Sequence, residues 1–225
     1  MQFRKFMPSI SLVHRKIPVW LRWTALLWLL IWFPTYWHTW GAVNFLHLCD
    51  IAVILTCVGL WTSNALLISS QAVSSLLIDV TWALDAAWRF FFAHYLIGGT
   101  EYLFDSRFPL AVRLLSLFHL AMPPLLLWSL HRLGYDRRAW PLQSATAIVL
   151  FLVSRFTDPA KNLNFAFRDA FFHRAWGSGP VHIVLSLSLL IFAVYFPTHL
   201  LLKSLFHPPT ITKSGHPSTA SLRVS

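Results

Sequence analysis

Between residues 44 and 50 the chain reads Asn44, Phe45, Leu46, His47, Leu48, Cys49, Asp50, which sets an amide, an imidazole, a thiol and a carboxylate within two helical turns. On a helix, at about 100° per residue, Asn44, His47 and Ile51 share a face and Asp50 lies one turn from His47 at i+3. Asp50 can then orient His47 through one ring nitrogen while the other nitrogen faces a cavity, the pairing that a general base needs. The same pair can equally serve as polar glue between helices. Cys49 points roughly 200° away from His47, so it either packs as a small apolar side chain or takes its base from another helix. Asn44 is the candidate donor to a developing oxyanion.

The second source of chemistry is His119, in Ser116, Leu117, Phe118, His119, Leu120, Ala121, Met122, Pro123, Pro124. Two prolines remove backbone donors, and a kink is expected just past His119, opening space for a polar group or substrate. His119 is the other mid-span histidine and hence the base available to Cys49. Gln71 and Asp79 are expected to line the inward face of their helix as interhelical hydrogen-bonding groups. Asn162 and Asn164, with Asp158 and Lys161, cap a helix or rim the site. The remaining histidines, His182 and His199 among them, fall at predicted helix ends or loops, where interfacial solvation accounts for them. Two histidines and an aspartate lack any metal-site signature, and neither a metal nor a cofactor is expected. No GxSxG, P-loop, CxxC, HExxH or GxGxxG motif occurs, so the common soluble-enzyme routes are closed.

The elements that must position these groups are apolar. Of the residues, 56% are hydrophobic, 12% are charged and twelve are Trp, with mean hydropathy +0.59; that surface exceeds what one soluble core hides and must face lipid. The fold expected is all-α: a multi-span helical membrane bundle, with spans at Val19 to Tyr36, Val43 to Thr62, Ala65 to Leu84, Leu110 to His131, Leu142 to Phe156 and Val181 to Leu202. The stretch Asp85 to Pro109, apolar and aromatic but carrying Arg89 and His94, is expected to be an interfacial or re-entrant helix, a seventh span being the alternative. A basic segment (1–18) precedes the transmembrane domain (19–206), and a polar tail (207–225) rich in Pro, Ser and Thr is expected to be disordered. Trp20, Trp23, Trp28 and Trp32 stand where a signal peptide would have its small-residue cleavage site, so the first span stays uncleaved.

The net charge of +10 comes from basic residues scattered over loop ends, which suits a membrane surface rather than nucleic acid. With six spans, eleven Lys and Arg fall on the side of the N-terminus and seven on the other, which favours a cytoplasmic N-terminus. Cys49 and Cys57 are eight residues apart on one helix, about 12 Å along its axis, and cannot bridge to each other.

The run Asn44 to Asp50, with His119 followed by Pro124 and then by Tyr135, Asp136, Arg137 and Arg138, resembles the superfamily of androgen-induced integral membrane hydrolases, with its ether-phospholipid acyltransferase branch and bacterial integral membrane members. The likeness covers about residues 20 to 200 in span order. It implies six spans around a polar pocket in which a nucleophile on the second span and a histidine on the fourth act on a fatty acyl ester. His119 matches that histidine. The hydrolases' threonine position falls on His47 and the acyltransferases' cysteine position on Leu46, with Cys49 on neither. Three options follow: Cys49 serves through a local shift, His47 activates water, or activity is lost. The function expected is a lipid acyl-ester hydrolase or acyl transferase using His119, His47, Asp50 and Cys49; the alternatives are a membrane scaffold and a carrier of a small amphiphile.

Overall fold

The structure, a computed structural model, describes residues 16–206. The expectations for the polar tail and for most of the basic N-terminal segment lie outside the described residues. Helix formation follows the apolar blocks. Helix α1 (Val19–Trp40) starts behind Pro18 and stops at Gly41, whose φ of 79° suits a residue without a β-carbon. Only Trp32 and Tyr36 of α1 are fully buried; Leu21, Ala25, Trp28 and Leu29 pack partly against the core, and Trp20, Leu27 and Leu30 are exposed, as on a lipid-facing helix. A 3₁₀ turn, Ala42–Leu46, leads through an extended His47 into α2 (Leu48–Thr62). The expected continuous span from Val43 is therefore broken at its first turn.

Helix α3 (Ala65–Phe92) begins at Asn64, whose side chain accepts from Leu67 N at 3.1 Å. It is the central element, packing on α2, on α6 (Phe118–Leu133), on α7 (Ala139–Ser154) and on the final helix α9 (Phe196–Leu205). Its buried residues are largely polar: Ser69, Ser70, Gln71, Ser74, Ser75, Asp79 and Asp85. A helix polar on its buried side and surrounded by apolar helices suits a bundle whose outer solvent is lipid.

The separate interfacial or re-entrant helix does not form. Residues 85–92 continue α3, and the chain then turns at Ala93 into a loop carrying the short α4 (Glu101–Phe104). The reason is non-local: Asp85 Oδ1 accepts the backbone N–H groups of Leu96, Ile97 and Gly98 at 2.8, 2.7 and 3.1 Å, and its Oδ2 accepts from the Thr100 hydroxyl, folding the segment back on α3. A break at Ser116 and Leu117 separates α5 (Leu110–Leu115) from α6, and a π-helical stretch, Leu189–Tyr195, joins α8 (Gly179–Ser188) to α9.

The described residues contain no strand. Three helical segments are long and apolar enough to cross a membrane: Ala65–Phe92, Leu110–Leu133 and Gly179–Leu205. The bundle has two distinct ends. At one, Ile17 N donates to Ser63 Oγ at 3.2 Å, Asp136 N to Ser69 Oγ at 2.9 Å, and Tyr135 meets His199 Nδ1 at 2.7 Å. At the other, Asn164 Oδ1 accepts from Leu48 N at 2.9 Å and its Nδ2 donates to Leu46 O at 2.7 Å, joining the loop after α7 to the start of α2.

Candidate functional site

His119 sits in the first turn of α6, beneath the second of these ends. Its N–H bonds Ser116 O at 3.2 Å and that of Leu120 bonds Leu117 O at 2.9 Å, the tight i−3 pattern of a local break. The kink expected just past His119 thus falls one turn before that point. Proline disturbs the carbonyl four residues earlier, and Pro123 and Pro124 act on His119 and Leu120 while α6 continues through the prolines themselves.

The His119 imidazole is buried, with Nδ1 2.7 Å from Asp79 Oδ1 on α3. Its ring stacks against Trp82, centroids 4.6 Å apart, and against Phe118, 4.1 Å apart. A carboxylate at Nδ1 keeps the proton of a neutral imidazole there and leaves the lone pair on Nε2. Nε2 makes no hydrogen bond among the described residues, and Asp79 Oδ2 is buried without a partner. An imidazole oriented in this way can take up a proton at Nε2.

The predicted His47–Asp50 pair is not formed. His47 is extended (φ −63°, ψ 137°) and precedes α2, so helical i+3 geometry does not apply to it. Asp50 instead accepts from Asn44 Nδ2 at 2.6 Å, with Cys49 Sγ 3.8 Å from its other oxygen. His47 is half-buried. Cys49 lies within electrostatic range of Asp50 and Asp79 and bonds no histidine among the described residues. Both cysteines are free thiols.

Asn44, expected as the oxyanion donor, and Asn162 and Asn164, expected to cap a helix or rim the site, are all engaged in other hydrogen bonds. Asn44 is committed to Asp50. Asn164 clamps both flanks of His47 and also donates to Ser154 Oγ at 2.9 Å, so it positions the turn and offers no free donor. Asn162 holds its own loop, accepting from Phe167 N and Arg168 N at 3.0 and 2.9 Å. Two histidines assigned to interfacial solvation are buried and bonded: His182 accepts from Trp176 N at 3.2 Å and meets Phe165 O at 3.0 Å, and His199 pairs with Tyr135.

Sequence reasoning underweighted Asp79 and missed Trp82, Tyr102, Tyr36 and Ser116. Trp82 Nε1 donates to Tyr102 OH at 3.2 Å, and Tyr36 OH lies 2.6 Å from Ser116 Oγ. Beside this polar cluster runs an apolar groove of about 370 Å³ between α1, α2 and α6, lined by Trp28, Val53, Cys57, Phe118 and Met122 among others. Phe118 is common to both, forming groove wall on one side and stacking on His119 on the other. No cluster of three or more His, Cys, Asp or Glu able to hold a metal occurs among the described residues. No protein-family model, curated protein or solved structure matches the chain.

Proposed function

We propose that the chain is a six-span integral membrane protein acting as an intramembrane acyl-ester hydrolase or acyl transferase, with His119 as general base oriented by Asp79. The observation that carries this reading is the buried Asp79–His119 pair, whose Nε2 is left without a partner among the described residues, while Phe118, stacked on His119, also lines an apolar groove. The groove volume falls within the range of small-ligand sites, roughly 300–1,000 Å³, and its lining suits an acyl chain. The resemblance of His119 to the catalytic histidine of the androgen-induced hydrolase superfamily supports the same assignment.

In this reading Nε2 takes the proton of water or of a lipid hydroxyl as that oxygen attacks the acyl carbonyl, and returns it to the departing alkoxide. Asp79 stabilises the imidazolium that forms in between. Cys49 is left out of the covalent chemistry: no imidazole is within hydrogen-bond reach, and its nearest polar neighbour, the Asp50 carboxylate, offers a thiolate no counter-charge. The test is turnover of a panel of fatty acyl esters and glycerophospholipids by purified protein in detergent. Wild type is expected to release or transfer acyl groups and His119→Ala to lose this; equal lipid turnover by the two ends the proposal.

One observation favours a second reading, a scaffold without chemistry. Asp79 and His119 join α3 to α6, the most extensively packed pair of helices, and a buried hydrogen-bonded pair there can serve assembly alone. That reading requires His119→Ala to lower folded yield and leave every lipid pool unchanged.

A further inference from the structure

With His119 as base, a developing oxyanion still needs a donor, and Asn44 and Asn164 are engaged with Asp50 and Leu46. The geometry points to Tyr102 as that donor, with Trp82 as the positioning residue that fixes it relative to His119; the inference rests on the acyl-ester reading.

Trp82 carries the argument, because one indole touches both groups. Its ring lies against the His119 imidazole at an interplanar angle of 22°, and its Nε1–H donates to the Tyr102 oxygen at 3.2 Å. A phenol that accepts from an indole keeps its own proton for another acceptor. Tyr102 is half-buried, and the Trp40 ring of α1 packs edge-on against it, centroids 6.0 Å apart. Ser116 also approaches it, bonded on its other side to Tyr36. The short helix that carries Tyr102 is pinned on both flanks: Thr100 bonds Asp85, and Arg113 Nη1 donates to Leu103 O at 3.1 Å. A donor held in advance by such supports is what oxyanion stabilisation requires.

The step balances without a further reactant. As the water or hydroxyl oxygen bonds to the acyl carbon, the carbonyl π pair moves onto the carbonyl oxygen, which accepts the Tyr102 O–H hydrogen bond. The nucleophile's proton passes to His119 Nε2. Collapse re-forms the C=O, breaks the bond to the leaving alkoxide, and hands it that proton.

The test uses the purified full chain with a long-chain alkyl trifluoromethyl ketone, whose tetrahedral adduct mimics this intermediate, and with 4-nitrophenyl acyl esters. Wild type is expected to bind the ketone. Tyr102→Phe should bind it at least about 10-fold more weakly and lose about 10²–10³ in kcat with little change in KM, the signature of a donor used only in the transition state. Trp82→Phe, which keeps an aromatic ring on His119 and deletes only the Nε1 donor, should show a smaller loss of the same kind, and it reads the effect if Tyr102→Phe does not fold. Absence of ketone binding by wild type, or equal ketone affinity and kcat in folded Tyr102→Phe, overturns the assignment. If His119→Ala is inactive while Tyr102→Phe matches wild type, Tyr102 alone is wrong; if His119→Ala is fully active, the acyl-ester reading beneath it fails.

Discussion

Asp79 is the residue on which the site turns, and it was the hardest to weigh from sequence. Asp50 stands three positions from His47 and invites a local pairing, whereas Asp79 is forty positions from His119 and looks like one more polar group in a serine-rich helix. Local spacing decides a partner only where the intervening backbone is helical, and His47 is not. Asp79→Asn preserves shape and an acceptor for Nδ1 but removes the charge that stabilises the imidazolium. Acyl turnover by this variant should fall about 10²- to 10⁴-fold with the thermal unfolding midpoint nearly unchanged; undiminished turnover would remove Asp79 from the mechanism. A second carboxylate gives a prediction in pH. The Arg138 guanidinium beside Asp136, Nη2 to Oδ2 at 2.8 Å, holds that carboxyl below its usual range in the loop after α6. A folded value below the unfolded one adds stability that is fully present above about pH 4 and is lost as pH falls through the lowered value. Because Arg138 is exposed, the contribution is about 1 kcal/mol or less. Asp136→Asn should therefore unfold slightly earlier than wild type at pH 7 and together with it at the acid end.

At the scale of elements, the apolar blocks made most helices legible: α1, the start of α3, α7 and the last apolar segment, Gly179–Leu205, fall where the hydropathy places them, although that segment is α8, a π-helical stretch and α9 rather than one regular helix. What escaped were features set by contacts distant in sequence or by backbone strain. The loop of residues 93–109 folds around Asp85, and the turn at His47 is held by Asn164 from the far side of the bundle. Asn164→Ala would leave Leu48 N, Leu46 O and Ser154 Oγ short of a partner. At about 1–3 kcal/mol for an unsatisfied buried group, it should lower the unfolding midpoint measurably and raise amide exchange at residues 46–48. An unchanged exchange rate there would mean that the turn holds without the clamp. The prolines of α6 give a sharper expectation, because stability and activity should part. Pro123→Ala with Pro124→Ala restores donors for the carbonyls of His119 and Leu120 and favours a continuous helix across Ser116 and Leu117. The unfolding midpoint should hold or rise, while turnover falls at least about 10-fold as His119 moves from Asp79. A variant of unchanged activity would show that the break does not position the base.

The whole molecule gathers its candidate chemistry near one end. Leu46, Leu48, Asn44, Tyr102, Ser116 and Asn164 meet there, while Ile17, Ser63, Asp136 and His199 tie the opposite end together. All-helical, membrane-compatible architecture was legible from composition alone, because this much apolar surface has no other place than lipid. Convergence of the polar residues was not, since it depends on which helices become neighbours. On the six-span reading proposed above, the loops 41–47, 93–109 and 155–178 would lie on one side of the membrane and 63–64 and 134–138 on the other. On that reading the eleven-to-seven distribution of basic residues in the sequence predicts a site nearer the non-cytoplasmic face. In a chain whose Cys49 and Cys57 are replaced by Ser, single cysteines at the exposed positions Arg107, Lys161 and Arg137 report this directly. A membrane-impermeant maleimide added outside intact cells should label Arg107→Cys and Lys161→Cys, and should reach Arg137→Cys only after the membrane is opened. Labelling of Arg107→Cys and Arg137→Cys from the same side would leave α5 and α6 short of a crossing and overturn the six-span reading.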